Sequence, residues 1–87
     1  MIKQLYQKVM DKWGVDAQLN VAIEELSELI KEICKDKRGF GVPKQIAEEV
    51  ADVEIMCEQL RFIYGLDDAV DEWKDYKLKR LEKRLED

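Results

Sequence analysis

Four acidic side chains carry the chemistry this sequence offers: Glu25 and Glu28 in one stretch, Glu49 and Asp52 in another, each pair three residues apart. On a helix that spacing separates two side chains by about 60° in projection, so each pair aims along roughly one direction. Two such pairs on neighbouring helices would form an oxygen-rich pocket, and mutual repulsion makes a cluster of this kind untenable without cations. Magnesium and manganese suit it, because these hard ions take a few carboxylate oxygens together with water and substrate phosphates. A divalent ion held there can acidify water, neutralise a phosphoryl group and, where two ions bind, clamp the attacking and leaving oxygens. The reaction this chemistry points to is metal-assisted hydrolysis of a phosphoanhydride. The chain has no histidine, which excludes histidine acid–base catalysis and the usual zinc and copper sites. Cys34 and Cys57 form no CxxC unit and fall at apolar helical positions, so both are expected to be buried free thiols.

The elements that must position these acids read as helices. In Ile46 to Tyr64, a stripe of Ile46, Val50, Val53, Cys57, Leu60 and Tyr64 recurs at helical spacing, with Glu49 and Asp52 on its flank beside Met56 and Ile63. Carboxylates turned toward packing partners need compensation by a cation or donors. A preceding long helix is expected from an N-cap at Asp16 through Gln18, Glu25 and Glu28 to Lys35 or Arg38, with Leu19, Ile23, Leu26, Leu29, Ile30 and Ile33 as its buried stripe. Taken alone, its acids also fit a solvated helix face. Lys35 to Pro43, KDKRGFGVP, is the clear break, and so short a link predicts antiparallel packing. At about 1.5 Å of rise per residue, that turn sets Glu25 and Glu28 level with Asp52 and Glu49. Lys35, Lys37 and Arg38 then form a basic helix end that complements the dipole.

Two further helices flank this pair. Residues 2 to 13 place Ile2, Leu5, Tyr6, Val9 and Trp13 on one side, ended by Gly14. After Gly65, Asp67 is the expected cap of a helix running to about Leu85, with Val70, Trp73, Leu78, Leu81 and Leu85 as apolar members and Lys77 and Arg80 interrupting their line.

Composition sets the class. Eighty-seven residues with few glycines, one proline and 40% charged residues predict a single all-α domain over 1–87, an antiparallel bundle of about four helices. A domain this small gains from self-association. The net charge of −5 argues against nucleic-acid polymers and anionic membrane surfaces as partners. No apolar run approaches the roughly 20 residues that span a bilayer and no signal-peptide pattern is seen, so a cytoplasmic location is expected.

Glu24-Glu25-Leu26-Ser27-Glu28, followed after a basic, glycine-containing turn by Glu48-Glu49-Val50-Ala51-Asp52, resembles the ExxE and ExxD signature of the MazG-like all-α nucleoside triphosphate pyrophosphohydrolases. Trp13-Gly14-Val15-Asp16-Ala17-Gln18-Leu19 and Lys77-Leu78-Lys79-Arg80-Leu81 are similar to compact, phage-type members, and the likeness runs from about Trp13 to Arg84. The resemblance implies Mg²⁺-dependent cleavage of (d)NTPs between the α and β phosphates. It implies Glu25, Glu28, Glu49 and Asp52 as catalytic metal ligands, with one of them, or Glu24 or Glu48, steering water. It further implies Lys77 and Arg80 on phosphate, Gln18 and Trp13 at base or sugar, and a homodimer or homotetramer. The rival is a non-catalytic helical oligomerisation or nucleotide-binding regulatory module, its acids satisfied by Lys and Arg of a neighbouring chain.

Overall fold

The breaks between helices fall where the backbone requires them. Gly65 takes a left-handed conformation (φ 62°, ψ 43°) that a side chain would oppose. The Leu66 amide then donates back to the Arg61 carbonyl at 2.9 Å, closing the helix before it. Pro43 stands at the first position of the next helix after the preceding turn, where its missing N–H leaves no bond unmade. The computed structural model describes residues 2 to 86 and is all-α, with α1 at Ile2–Trp13, α2 at Val15–Lys37, α3 at Pro43–Tyr64 and α4 at Asp67–Glu86.

Two expected caps are corrected. Helix α2 begins at Val15 with Gly14 in the cap position and no side-chain cap, so Asp16 lies inside the first turn, where its charge meets the helix N-terminus. Asp67 is likewise inside α4: the Val70 amide donates to the Leu66 carbonyl at 2.8 Å, which puts Leu66 at the cap. The Asp67 carboxylate instead faces Lys3 at 3.6 Å and Arg61 at 3.7 Å, tying the start of α4 to α1 and α3.

Helices α2 and α3 form the main packing unit, α1 lies against both, and α4 packs on α3, with its Asp67 reaching Lys3 of α1. Which faces meet differs from the expectation. Helix α2 turns the line Gln18, Ala22, Glu25, Leu29 and Glu32 inward, and α3 answers with Glu49, Asp52, Met56 and Gln59. The anticipated apolar stripe of α2 starts one residue later, about 100° around the helix, so that apart from Leu29 it lies beside the contact instead of in it. Leu19 and Leu29 are half-buried, while Ile23, Leu26, Ile30 and Ile33 are exposed, Ile23 and Ile30 at 62% each. On α3, Val50, Cys57 and Tyr64 of the expected stripe are exposed, and Ile46, Val53 and Leu60 are half-buried. Both cysteines are free and exposed, not buried. On α1, Tyr6 and Met10 are buried, whereas Ile2, Leu5 and Trp13 are exposed. Helix α4 has no buried residue, its expected apolar members included.

The shape follows from this. The Cα radius of gyration is 15.9 Å, against about 12 Å for a compact domain of this length. Among the described residues, no helix is long and apolar enough to cross a membrane.

Candidate metal centre between α2 and α3

The seam joins polar residues because α2 and α3 meet in antiparallel register along their acidic lines. Glu25, Glu49 and Asp52 each bring a carboxylate oxygen to within 4.8 Å of the others, and each side chain is half-buried. The register is visible in which charges act on which. Asp52 faces Glu25, while Glu28 and Glu32, one and two turns further along α2, act on Glu49, one turn earlier in α3.

The electrostatics record the crowding. Burial pushes the Glu25 carboxyl up from its ordinary range, followed by the Asp52 charge and a hydrogen bond with Asp52, then by Glu49 and Glu24. Burial is also the largest influence raising Glu49, with Asp52, Glu28, Glu48 and Glu32 adding to it. No cation is among the influences on either group. The Glu49 Oε2 is buried and has no hydrogen-bond partner. A carboxylate oxygen shut away from water with nothing to accept from is costly. Hard oxygen donors at this separation, on side chains that include the incompletely partnered Glu49, fit a divalent ion of the magnesium type, which accepts a few carboxylates and keeps water or phosphate at its remaining positions.

The remaining anticipated site residues are placed as follows. Glu28 is exposed at the lip of the cluster and is not among its three converging acids, although its charge reaches Glu49. Gln18 is buried on the same line of α2 and, with Trp13, Ala17 and Val21, lines an open groove of about 320 Å³. Trp13 is exposed there, with the Lys12 ammonium 5.2 Å from its ring centre. Lys77 and Arg80 are not brought to the acids within the chain: neither is among the charges acting on Glu25 or Glu49. Each lies over an aromatic ring of its own helix, Lys77 at 5.8 Å from Trp73 and Arg80 at 5.6 Å from Tyr76.

Three polar features escape helical periodicity. Glu32 and Gln59 are buried at 8% and 7% exposure, and each keeps one buried oxygen without a partner. Nothing in residue type marks them out, although Glu32 stands seven residues after Glu25 and therefore on the same face. At the other end of the seam, the Tyr6 hydroxyl donates to the Glu58 carboxylate beside a cleft of about 250 Å³ lined also by Arg61, Phe62 and Asp67. Burial, then the Glu58 bond and charge, push the Tyr6 hydroxyl up to about 12. Arg61 is committed to structure there, donating to the Asp71 carboxylate at 2.8 Å.

No family model matches the chain, and no curated protein or solved structure matches it.

Proposed function

We propose that this chain is a magnesium-dependent nucleotide pyrophosphohydrolase of the MazG-like kind, converting (d)NTPs to (d)NMPs and pyrophosphate, with manganese able to substitute. The observation that supports it most is the convergence of Glu25, Glu49 and Asp52 across two antiparallel helices, in the order of the ExxE and ExxD pattern they resemble. When bound, the ion supplies positive charge for the phosphoryl oxygens and lowers the pKa of water. The chain's own part is to hold the oxygens on two rigid helices, so that little reorganisation is needed as charge develops. Glu28, exposed beside them with its charge reaching Glu49, would supply the fourth carboxylate.

The groove at Trp13 and Gln18 suits the nucleoside end. Gln18 precedes Glu25 by seven residues on α2, about 10 Å along the axis, comparable to the span of a nucleoside from base to phosphate. Trp13 offers a stacking face, and the Gln18 amide offers a donor and an acceptor to a base edge or sugar hydroxyl.

The active unit in this proposal is a homodimer or homotetramer. The single chain exposes 7147 Å² at a mass of 10.3 kDa, where a folded monomer of that mass exposes about 5,400 Å². The excess of about 1,700 Å² per chain is what an obligate interface covers. Leu19, Ile23, Leu26, Ile30 and Ile33 supply an apolar seam at 4-3-4-3 spacing for a second copy. In such an assembly Lys77 and Arg80 serve the phosphates of a neighbouring copy's site.

The test is pyrophosphate release from a panel of canonical and modified (d)NTPs with Mg²⁺, for the native chain and for Glu49→Gln and Asp52→Asn. Loss of a direct ligand should lower turnover by at least about 100-fold, since even outer partners of metal ligands cost about 10–100-fold. Equal turnover in both variants would refute the site. The non-catalytic module predicts no pyrophosphate release and a melting temperature indifferent to Mg²⁺.

A further inference from the structure

Helix α4 is fixed at its start and bare beyond it. Arg61 reaches Asp67 at 3.7 Å and Asp71 at 2.8 Å, which ties the first turns of α4 to α3. The helix has no buried residue, and Leu78, Leu81 and Leu85 are 57%, 52% and 82% exposed. With Lys74 these leucines recur at 4-3-4 spacing, the line along one side of a helix that pairs it with another. The charges beside this line are sorted by sign. Lys77 and Arg84 each stand one residue before a leucine of the line, and Asp75 and Glu82 each stand one residue after a member of it. One flank is therefore basic and the other acidic.

We propose that this strip of α4 pairs with the same strip of a second copy, the two helices running parallel. The proposal rests on the assembly put forward above through the α2 seam, and says what covers α4 within it. The occupant follows from charge. In a parallel pair each basic flank faces the acidic flank of the other helix, whereas an antiparallel pair sets Lys77 and Arg84 against their like. Asp75 is held by Lys79 of its own helix at 3.0 Å, so Glu82 is the acid that meets Lys77 of the second copy. Such a rim pair is weak in water; it sets orientation and leaves Lys77 able to turn to phosphate. An anionic lipid surface suits the strip less, because Asp75 and Glu82 would be drawn onto it beside the leucines. The twelve residues from Lys74 to Leu85 are too short a helix pair to hold by themselves. The strip therefore closes only in copies that the α2 seam has joined.

The test is disulfide trapping in the full chain with Cys34 and Cys57, both exposed, replaced by serine. Leu78→Cys and Leu85→Cys, each added singly, should both give a cross-linked dimer on mild oxidation, because a parallel pair sets each of these positions opposite itself. Tyr76→Cys, on the outer side of the helix, should not. Leu81→Glu should raise the dimer dissociation constant in sedimentation equilibrium at least about tenfold, since each copy loses a buried leucine. A dimeric native chain that traps fewer than both leucine positions, or traps Tyr76→Cys equally, would overturn this pairing and leave the α2 seam standing. A monomeric native chain would overturn both. Binding to vesicles of phosphatidylserine and phosphatidylcholine in equal parts, abolished by Leu81→Glu, would assign the strip to lipid and overturn the pairing as well.

Discussion

At the scale of single residues, the account turns on carboxyls held close together with no compensating lysine or arginine. Glu25 and Glu49 both have folded-state pKa values above the ordinary 4.5, with burial the first cause. Without metal, the folded form therefore holds protons more tightly than the unfolded chain. The stability this contributes is complete below the unfolded pKa and is lost as pH rises through the folded one. The melting temperature of the metal-free protein should accordingly fall as pH is raised from about 4 toward neutrality, as these two groups ionise. Saturating Mg²⁺ should offset that fall, because it binds the ionised form and stabilises by mass action. Differential scanning calorimetry across pH, with Mg²⁺ and with chelator, checks this; parallel curves in the two conditions would count against a cation at the cluster. Tyr6 adds a separate limb: with its hydroxyl raised to about 12 from 10.0, its contribution is full below pH 10 and declines between 10 and 12. Replacing Tyr6 with Phe should lower the melting temperature below pH 10 and abolish the decline between 10 and 12.

At the scale of elements, the helices are legible because their signals are local. Gly14, the Arg38–Pro43 break and Gly65 divide the chain where the helices end, and Pro43 opens α3 as expected. The short link, helical rise and antiparallel packing lead to all four acids converging; Glu25, Glu49 and Asp52 do, while Glu28 stays exposed outside the three. The buried faces were not legible. Periodicity finds the apolar line of α2, yet the helix packs on α3 through Gln18, Ala22, Glu25, Leu29 and Glu32, a line set one residue away. A sequence read as a lone chain assigns apolar residues to its own interior, and here Ile23, Leu26, Ile30 and Ile33 stay exposed instead. The register of the acids depends in turn on the turn between α2 and α3. A Cβ on Gly41 would lie 2.6 Å from the Asp36 Cα, so the backbone itself must move to admit it. Gly41→Ala should shift α3 against α2, lower the melting temperature and weaken Mg²⁺ binding together. Unchanged Mg²⁺ affinity by calorimetry would show that the turn does not set the site.

At the scale of the whole molecule, a chain whose buried apolar residues, among those described, are Tyr6, Met10, Ala22 and Met56 has a small core for its length. Helix α4, with Trp73, Tyr76, Leu78, Leu81 and Leu85 exposed, extends from the rest. Both features suit the assembly proposed above. Ile30→Glu, in the middle of the exposed α2 seam, should convert the native oligomer into a monomer of lower melting temperature in sedimentation velocity; a native chain that is already monomeric would contradict the assembly. The central claim is that the α2–α3 seam gathers its acids around magnesium to cleave a triphosphate between the α and β phosphates. Its most direct test is to identify the products formed from a (d)NTP mixture in Mg²⁺ and in chelator. The account predicts nucleoside monophosphate and pyrophosphate in equal amounts with Mg²⁺, neither with chelator, and neither from Asp52→Asn. Orthophosphate with nucleoside diphosphate, or no product from the native chain, would contradict it.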